Sequence, residues 1–148
     1  MSLEFAVEAY SDAIEEMRLL YPAHWAEVGN IHEDLAVNYE RYVALDEARM
    51  LHVVVARSAG KLVGYHIFVI RAPQHHMSTL MAFSDATYLK PRYRLGFNGI
   101  HFLRFASDST RLTGAKGVHI SSTTRKPFGK VLEWLGFRET ERVYYKDL

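Results

Sequence analysis

Residues 84–114 read SDATYLKPRYRLGFNGIHFLRFASDSTRLTG, and the hydrophobic period changes inside this stretch. Up to Leu89 it reads as a β-strand, and Pro91 ends the run. Arg92-Tyr93-Arg94-Leu95-Gly96-Phe97-Asn98-Gly99 is a tight basic loop. From there to Arg111, Ile100, Leu103 and Ala106 fall at helical spacing. A strand that runs through a glycine-bearing loop into a helix N-terminus leaves backbone N–H groups unpaired and pointing one way, an arrangement suited to phosphate.

Working upstream, Met50 to Arg57 and Leu62 to Arg71 are β-rich runs separated by the turn residues Ser58-Ala59-Gly60-Lys61, which predicts a hairpin. Gly64 lies inside its second strand, where a missing side chain marks a bulge or a close approach. A turn through Ala72-Pro73-Gln74-His75-His76 leads to a long strand over Ser78 to Leu89. Near the start, Leu3 to Ala9 alternates as a short strand. Ser11-Asp12 then cap a helix that stops near Tyr21, before Pro22. His24 to Val28 reads as a turn or short helix, and Leu35, Tyr39, Tyr42 and Leu45 mark another helix that ends near Ala48. Downstream, Gly114 and Gly117 bracket a helix end before a strand at Val118 to Ser121. Phe128, Val131, Leu132 and Leu135 form the stripe of a short helix between Pro127 and Gly136, and Phe137 to Tyr145 reads as a closing strand.

The strand, helix, strand order implies a right-handed parallel crossover with a slot at the sheet's carboxyl edge. The expectation is one α/β domain over residues 1–148. It has a mixed, mostly antiparallel sheet of six to seven strands and about four helices.

The 148 residues, 49% hydrophobic and 13% aromatic, suffice for one core. With 18 Lys+Arg against 17 Asp+Glu the net charge is +1, so any anion site is local and a nucleic-acid partner is not expected. No cysteine is present, which excludes thiol nucleophiles and zinc-thiolate sites. The start has no signal-peptide pattern and the longest apolar runs are strand-sized, so a cytoplasmic location without membrane contact is the expectation.

The loop resembles the central motif of the GNAT N-acetyltransferases, which reads roughly Pro-x-Tyr-Arg-x-x-Gly-x-Gly after a strand. Pro91, Tyr93, Arg94 and Gly99 stand at matching places, and Phe97 occupies the first glycine position. Trp134-Leu135-Gly136-Phe137 is similar to that family's closing element, and Ala56 to Tyr65 to its early hairpin. The likeness covers most of the chain from about residue 49. Members of this kind are often carried by bacteriophages and prophages.

The resemblance implies acetyl transfer from acetyl-CoA, as co-substrate, to a small-molecule or peptide primary amine by direct attack in a ternary complex, without a metal. Thr87, Tyr88 and Leu89 would meet the pantetheine arm, and Arg94, Leu95, Gly96, Phe97, Asn98 and Gly99 the pyrophosphate, with Arg125 beside it. Asp85 stands where the family carries a carboxylate that deprotonates the amine. The tyrosine that commonly protonates the leaving thiolate is replaced by Leu132, so Tyr144, Tyr145 or His119 would have to serve. Trp25, His32 and His76 would belong to the acceptor site. His75-His76 also invites a metal reading, but adjacent residues of a strand face opposite ways and neither has a partner at ligand spacing. A homodimer is compatible with all of this. The alternative is a GNAT-fold protein that does not catalyse and works through protein contacts, a reading favoured by Phe97 and Leu132. A small nucleic-acid-binding domain, resting on Arg92, Arg94, Arg104, Arg111, Arg125 and Lys126, is a third.

Overall fold

The computed structural model describes residues 2–29 and 34–148. Among them a five-stranded sheet is ordered β1 (Glu4–Glu8), β2 (Leu51–Ser58), β3 (Lys61–Arg71), β4 (Met81–Leu89), β5 (Val118–His119). The first four strands pair antiparallel with their neighbours, and β5 runs parallel to β4. Five α-helices accompany it: α1 (Tyr10–Met17), α2 (Tyr21–Val28), α3 (Tyr39–Glu47), α4 (Asn98–Ser109) and α5 (Gly129–Trp134). The α/β class and the mixed, mostly antiparallel sheet agree with expectation, while the strand count is five rather than six to seven and the helix count five rather than four.

Two physical reasons account for the differences. Pro22, which the sequence reading makes a helix stop, lies in the first turn of α2, where no intrahelical N–H is needed. The chain therefore breaks after Met17 and restarts at Tyr21. Residues 137–145 have a strand-like composition but form no ladder here, and Val143, Tyr144 and Tyr145 are exposed.

The hairpin between β2 and β3 forms as expected, turning through Ala59 and Gly60, both at positive φ. Its register shifts between Ala56 and Arg57, because Ala56 faces Gly64 and Arg57 faces Leu62. Gly64 is required by packing: a Cβ there would stand 2.7 Å from the Tyr88 carbonyl oxygen and 2.8 Å from Leu89 Cδ1.

Alternation along β2 and β3 splits the core into two layers. Val53, Val55, Tyr65 and Ile67 meet Tyr10, Ala13, Met17 and Tyr21 on the side of the first helices. Val54, Ala56, Phe68 and Ile70 meet Phe102 and Ala106 of α4 on the other. Arg57 pins the rim, with its guanidinium 2.8 Å from Glu8 and 2.8 Å from Glu16. No helix among the described residues is long and apolar enough to cross a membrane.

Candidate active site

The site begins with an incomplete ladder. Among the described residues β5 pairs with β4 only at Ala82↔Val118 and Phe83↔His119, and from Ser84 to Leu89 none of them forms a strand beside the outer edge of β4. A cleft of about 760 Å³ opens along that edge. Its lining includes Ser121, Thr123, Lys126, Pro127, Phe128 and Val131 from the segment before α5 and from α5 itself, together with residues of α2 and the segment after it.

The strand is itself irregular at this point. Its register against β3 passes from Ile67↔Ala86 to Phe68↔Ser84, which leaves Asp85 as the extra residue of a bulge. Bulges re-aim side chains. Asp85 lines the cleft, and the Tyr42 hydroxyl, from α3, donates to its Oδ2. Burial first, then this bond to the carboxylate, raises the Tyr42 phenol well above its ordinary pKa, so it stays a donor through the neutral range.

Around Asp85 the wall is aromatic: Tyr21, Trp25, Tyr42, Tyr65 and Tyr88 line the cleft with Leu35 and Val37. His24 Nδ1 is 2.7 Å from the Tyr65 hydroxyl, and its ring stacks on Tyr88 at 5.1 Å. Burial lowers the pKa of His24; Arg94 pushes it the same way and Glu27 opposes. The imidazole is accordingly neutral at pH 7.

Past Leu89 a single 3₁₀ turn, Pro91–Tyr93, carries the chain into the loop. Arg94 holds it there. Its Nε donates to the Leu89 carbonyl at 2.5 Å and its Nη2 to Glu27 of α2 at 2.8 and 3.1 Å, so its charge is already paired. Gly96 takes φ +61, whereas Phe97 sits at φ −96. The position whose backbone demands glycine is therefore 96, one place before the motif's first glycine, and Phe97 costs the loop no strain. Gly99 has open space where a side chain would stand. Gly99 and Ile100, in the first turn of the twelve-residue α4, line the cleft, and the first N–H groups of a helix have no intrahelical partner.

Of the residues expected from sequence, Asp85, Thr87, Tyr88, Leu89, Arg94, Gly96, Gly99 and Trp25 all line this one cleft. Leu95, Phe97 and Asn98 belong to the loop but not to the lining, and the Phe97 ring points to solvent rather than to the core. Arg125 donates to the carbonyls of Gly29 and Ala26, tying the segment before α5 to the end of α2. Lys126, its neighbour, is the residue that reaches the lining, with no ion pair among the described residues. His76 is exposed in the turn before β4, outside the lining, and His32 lies outside the described residues. Tyr144 is 86% exposed and outside the lining, Tyr145 is also exposed, and His119 stacks on Phe83. Leu132 is buried, so no hydroxyl stands at that place. Among the described residues, no group of three or more metal-ligating side chains occurs.

The residues present suit a coenzyme A thioester. The unpaired β4 edge offers backbone groups to the amides of a pantetheine arm, and the loop leads from it to the N-terminus of α4. Thr123, which also lines the cleft, has its Oγ1 buried with no partner among the described residues. Sequence reasoning missed Tyr42, Tyr65 and the pairing of Glu27 with Arg94. These partners are separated by 43, 41 and 67 residues, and no local pattern joins them.

No family model matches the chain, and no curated protein does. Solved structures do match. A ribosomal-protein-alanine N-acetyltransferase from Brucella melitensis biovar Abortus 2308 superposes with TM-score 0.75 at 15% identity, over 100% of this chain and 99% of that one. The aminoglycoside N-acetyltransferase AAC(6')-Iy, bound to the bisubstrate analog CoA-S-monomethyl-acetylneamine, gives 0.71 at 19% identity over 100% and 99%. Glucosamine-6-phosphate N-acetyltransferase from Arabidopsis thaliana gives 0.68 at 14% identity over 99% of both chains. At these identities the likeness establishes architecture: this chain has the fold of GNAT-type N-acetyltransferases.

Proposed function

We propose that the protein transfers an acetyl group from acetyl-CoA to a primary amine within a ternary complex. One observation carries the reading: the unpaired β4 edge, the loop at Gly96 to Gly99 and the Asp85 carboxylate all open on a single cleft. That a structural neighbour is solved with a CoA-linked bisubstrate analog supports it.

When bound, the thioester supplies an acetyl carbon open to attack: the amine nitrogen bonds to it, the carbon–sulfur bond breaks, and sulfur leaves with the electron pair. Residues of this chain do the rest. Backbone groups of Thr87 to Leu89 hold the arm, and backbone N–H groups from Gly96 to Gly99 hold the pyrophosphate. Lys126 adds a positive charge, while the Arg94 guanidinium keeps the loop seated on α2. Asp85 attracts the ammonium of the acceptor and takes its proton, held in place by Tyr42. With no cysteine in the chain, transfer is direct. Leu132 replaces the usual acid, so the second proton of the amine, acidic once nitrogen has bonded to the acetyl carbon, passes from nitrogen to the departing sulfur as the carbon–sulfur bond breaks. The acceptor enters along the aromatic wall of Trp25, Tyr21 and Tyr65.

Thermal unfolding with and without acetyl-CoA tests the reading. A ligand at one hundred times its Kd adds about 2.7 kcal/mol of stability. A concentration-dependent rise is expected, and no shift at millimolar ligand would sink the reading in favour of a non-catalytic partner protein. Asp85→Asn is expected to keep the acetyl-CoA Kd and lower turnover; unchanged turnover would remove Asp85 from the mechanism.

A further inference from the structure

Phe97 departs from the loop pattern, and it lies beside a surface feature that the mechanism leaves unused. Its ring is 60% exposed, and 6.4 Å away, with planes 30° apart, is the ring of Trp134, itself 69% exposed. The His101 ring stands 6.3 Å from Phe97 at 28°. Three flat rings thus meet at solvent, contributed by the N-cap and first turn of α4 and the last turn of α5.

Large aromatic side chains gain from burial, so an uncovered pair implies an occupant. Its place relative to the cleft identifies the chemistry. Gly96 and Gly99, on either side of Phe97, both line the cleft, so the rings stand where the cleft reaches the surface at the loop. In acetyl-CoA the pyrophosphate is followed by a ribose carrying a 3′-phosphate and then by adenine. With its pyrophosphate on the loop, its purine lies within reach of this patch. Every nucleobase presents a π-face that stacks on aromatic side chains, and the two ring centroids, 6.4 Å apart, are close enough for one purine to meet both. Lys130, four residues before Trp134 on the same side of α5, supplies a cation for the ribose phosphate.

We propose that Phe97 and Trp134 bind the adenine ring of the coenzyme by stacking, so that the residue standing in place of the motif's glycine is itself a ligand-binding side chain. This rests on the acetyl-CoA reading and adds to it a base-specific subsite.

Titration calorimetry with acetyl-CoA and, separately, with 4′-phosphopantetheine, which has the arm but no adenosine, tests the subsite. Phe97→Ala and Trp134→Ala, both at exposed positions, are each expected to weaken acetyl-CoA about tenfold or more, the order that base–aromatic stacking is worth. Neither should change the affinity for 4′-phosphopantetheine, and Phe97→Tyr should restore wild-type binding of acetyl-CoA. Adenosine 3′,5′-bisphosphate should quench tryptophan fluorescence in the wild type and not in Trp134→Ala. Unchanged acetyl-CoA affinity in both alanine variants, equal losses for both ligands, or absent quenching overturns the subsite and leaves the acetyl-CoA reading intact. A wild-type chain that binds none of the three ligands overturns both.

Discussion

Lowering the pH from 7 to 5 should destabilise this fold through one imidazole above all. His66 is fully buried in β3, its ring stacked 4.0 Å from Phe68 and its Nε2 2.9 Å from Ser84 Oγ. Nδ1 has no partner among the described residues, so the proton belongs on Nε2, where it is donated to Ser84. A second proton would have to go to the orphaned Nδ1, and burial, with His52 nearby, holds the pKa down to about 3. The unfolded chain titrates near 6.5. The folded value is the lower one, so stability is full above the unfolded pKa and falls as the pH drops through it towards the folded value. At pH 5 the loss is about 2 kcal/mol, set almost wholly by the unfolded state and so insensitive to how low the folded value lies. His24 and His52, both lowered by burial, act in the same direction. Glu16, stabilised as carboxylate by the Leu62 N–H and by Arg57, loses its contribution only below its ordinary value of 4.5, outside this window. Urea unfolding at pH 7 and pH 5 measures the effect. His66→Gln retains a donor for Ser84 without a proton to gain, and should reduce the pH-dependent loss by about 2 kcal/mol. Flat stability between pH 5 and 7 in the wild type, or the same slope in both proteins, would refute the burial argument.

Two further outcomes follow from close contacts around the cleft. Gly64→Ala puts a Cβ 2.7 Å from the Tyr88 carbonyl, a backbone atom with no room to yield. Unfolding free energy should fall by about 1–3 kcal/mol, and a neutral result by denaturant titration would show that β3 and β4 can separate there. Tyr42→Phe removes the hydroxyl that donates to Asp85. Its acetyl-CoA Kd should be unchanged while turnover falls, because the Asp85 carboxylate loses the donor that holds it in place. Unchanged turnover would mean that Tyr42 serves only packing.

What the sequence could and could not disclose depends on the range of each interaction. The strand, loop and helix of residues 84–114 were legible because a change of period, a proline and two glycines act locally, and the β2–β3 turn announced itself in the same way. The bulge at Asp85 was not, since an extra residue exists only relative to the register of β3, and no single strand records its neighbour's register. Nor could composition show that residues 137–145 stay unpaired, because a strand needs a partner as well as a propensity. The loop motif makes Arg94 a phosphate ligand, whereas in the fold Glu27, 67 residues away, holds its guanidinium. Phe97 shows the limit of matching letters to places. A glycine in such a loop is needed where φ is positive, and here that is residue 96. Once Gly96 has made the turn, position 97 is released from the backbone requirement that the motif encodes, and its side chain can be used for something else. The departure is therefore in the motif's lettering and not in the loop's geometry, which is why a phenylalanine there is compatible with a phosphate-binding turn.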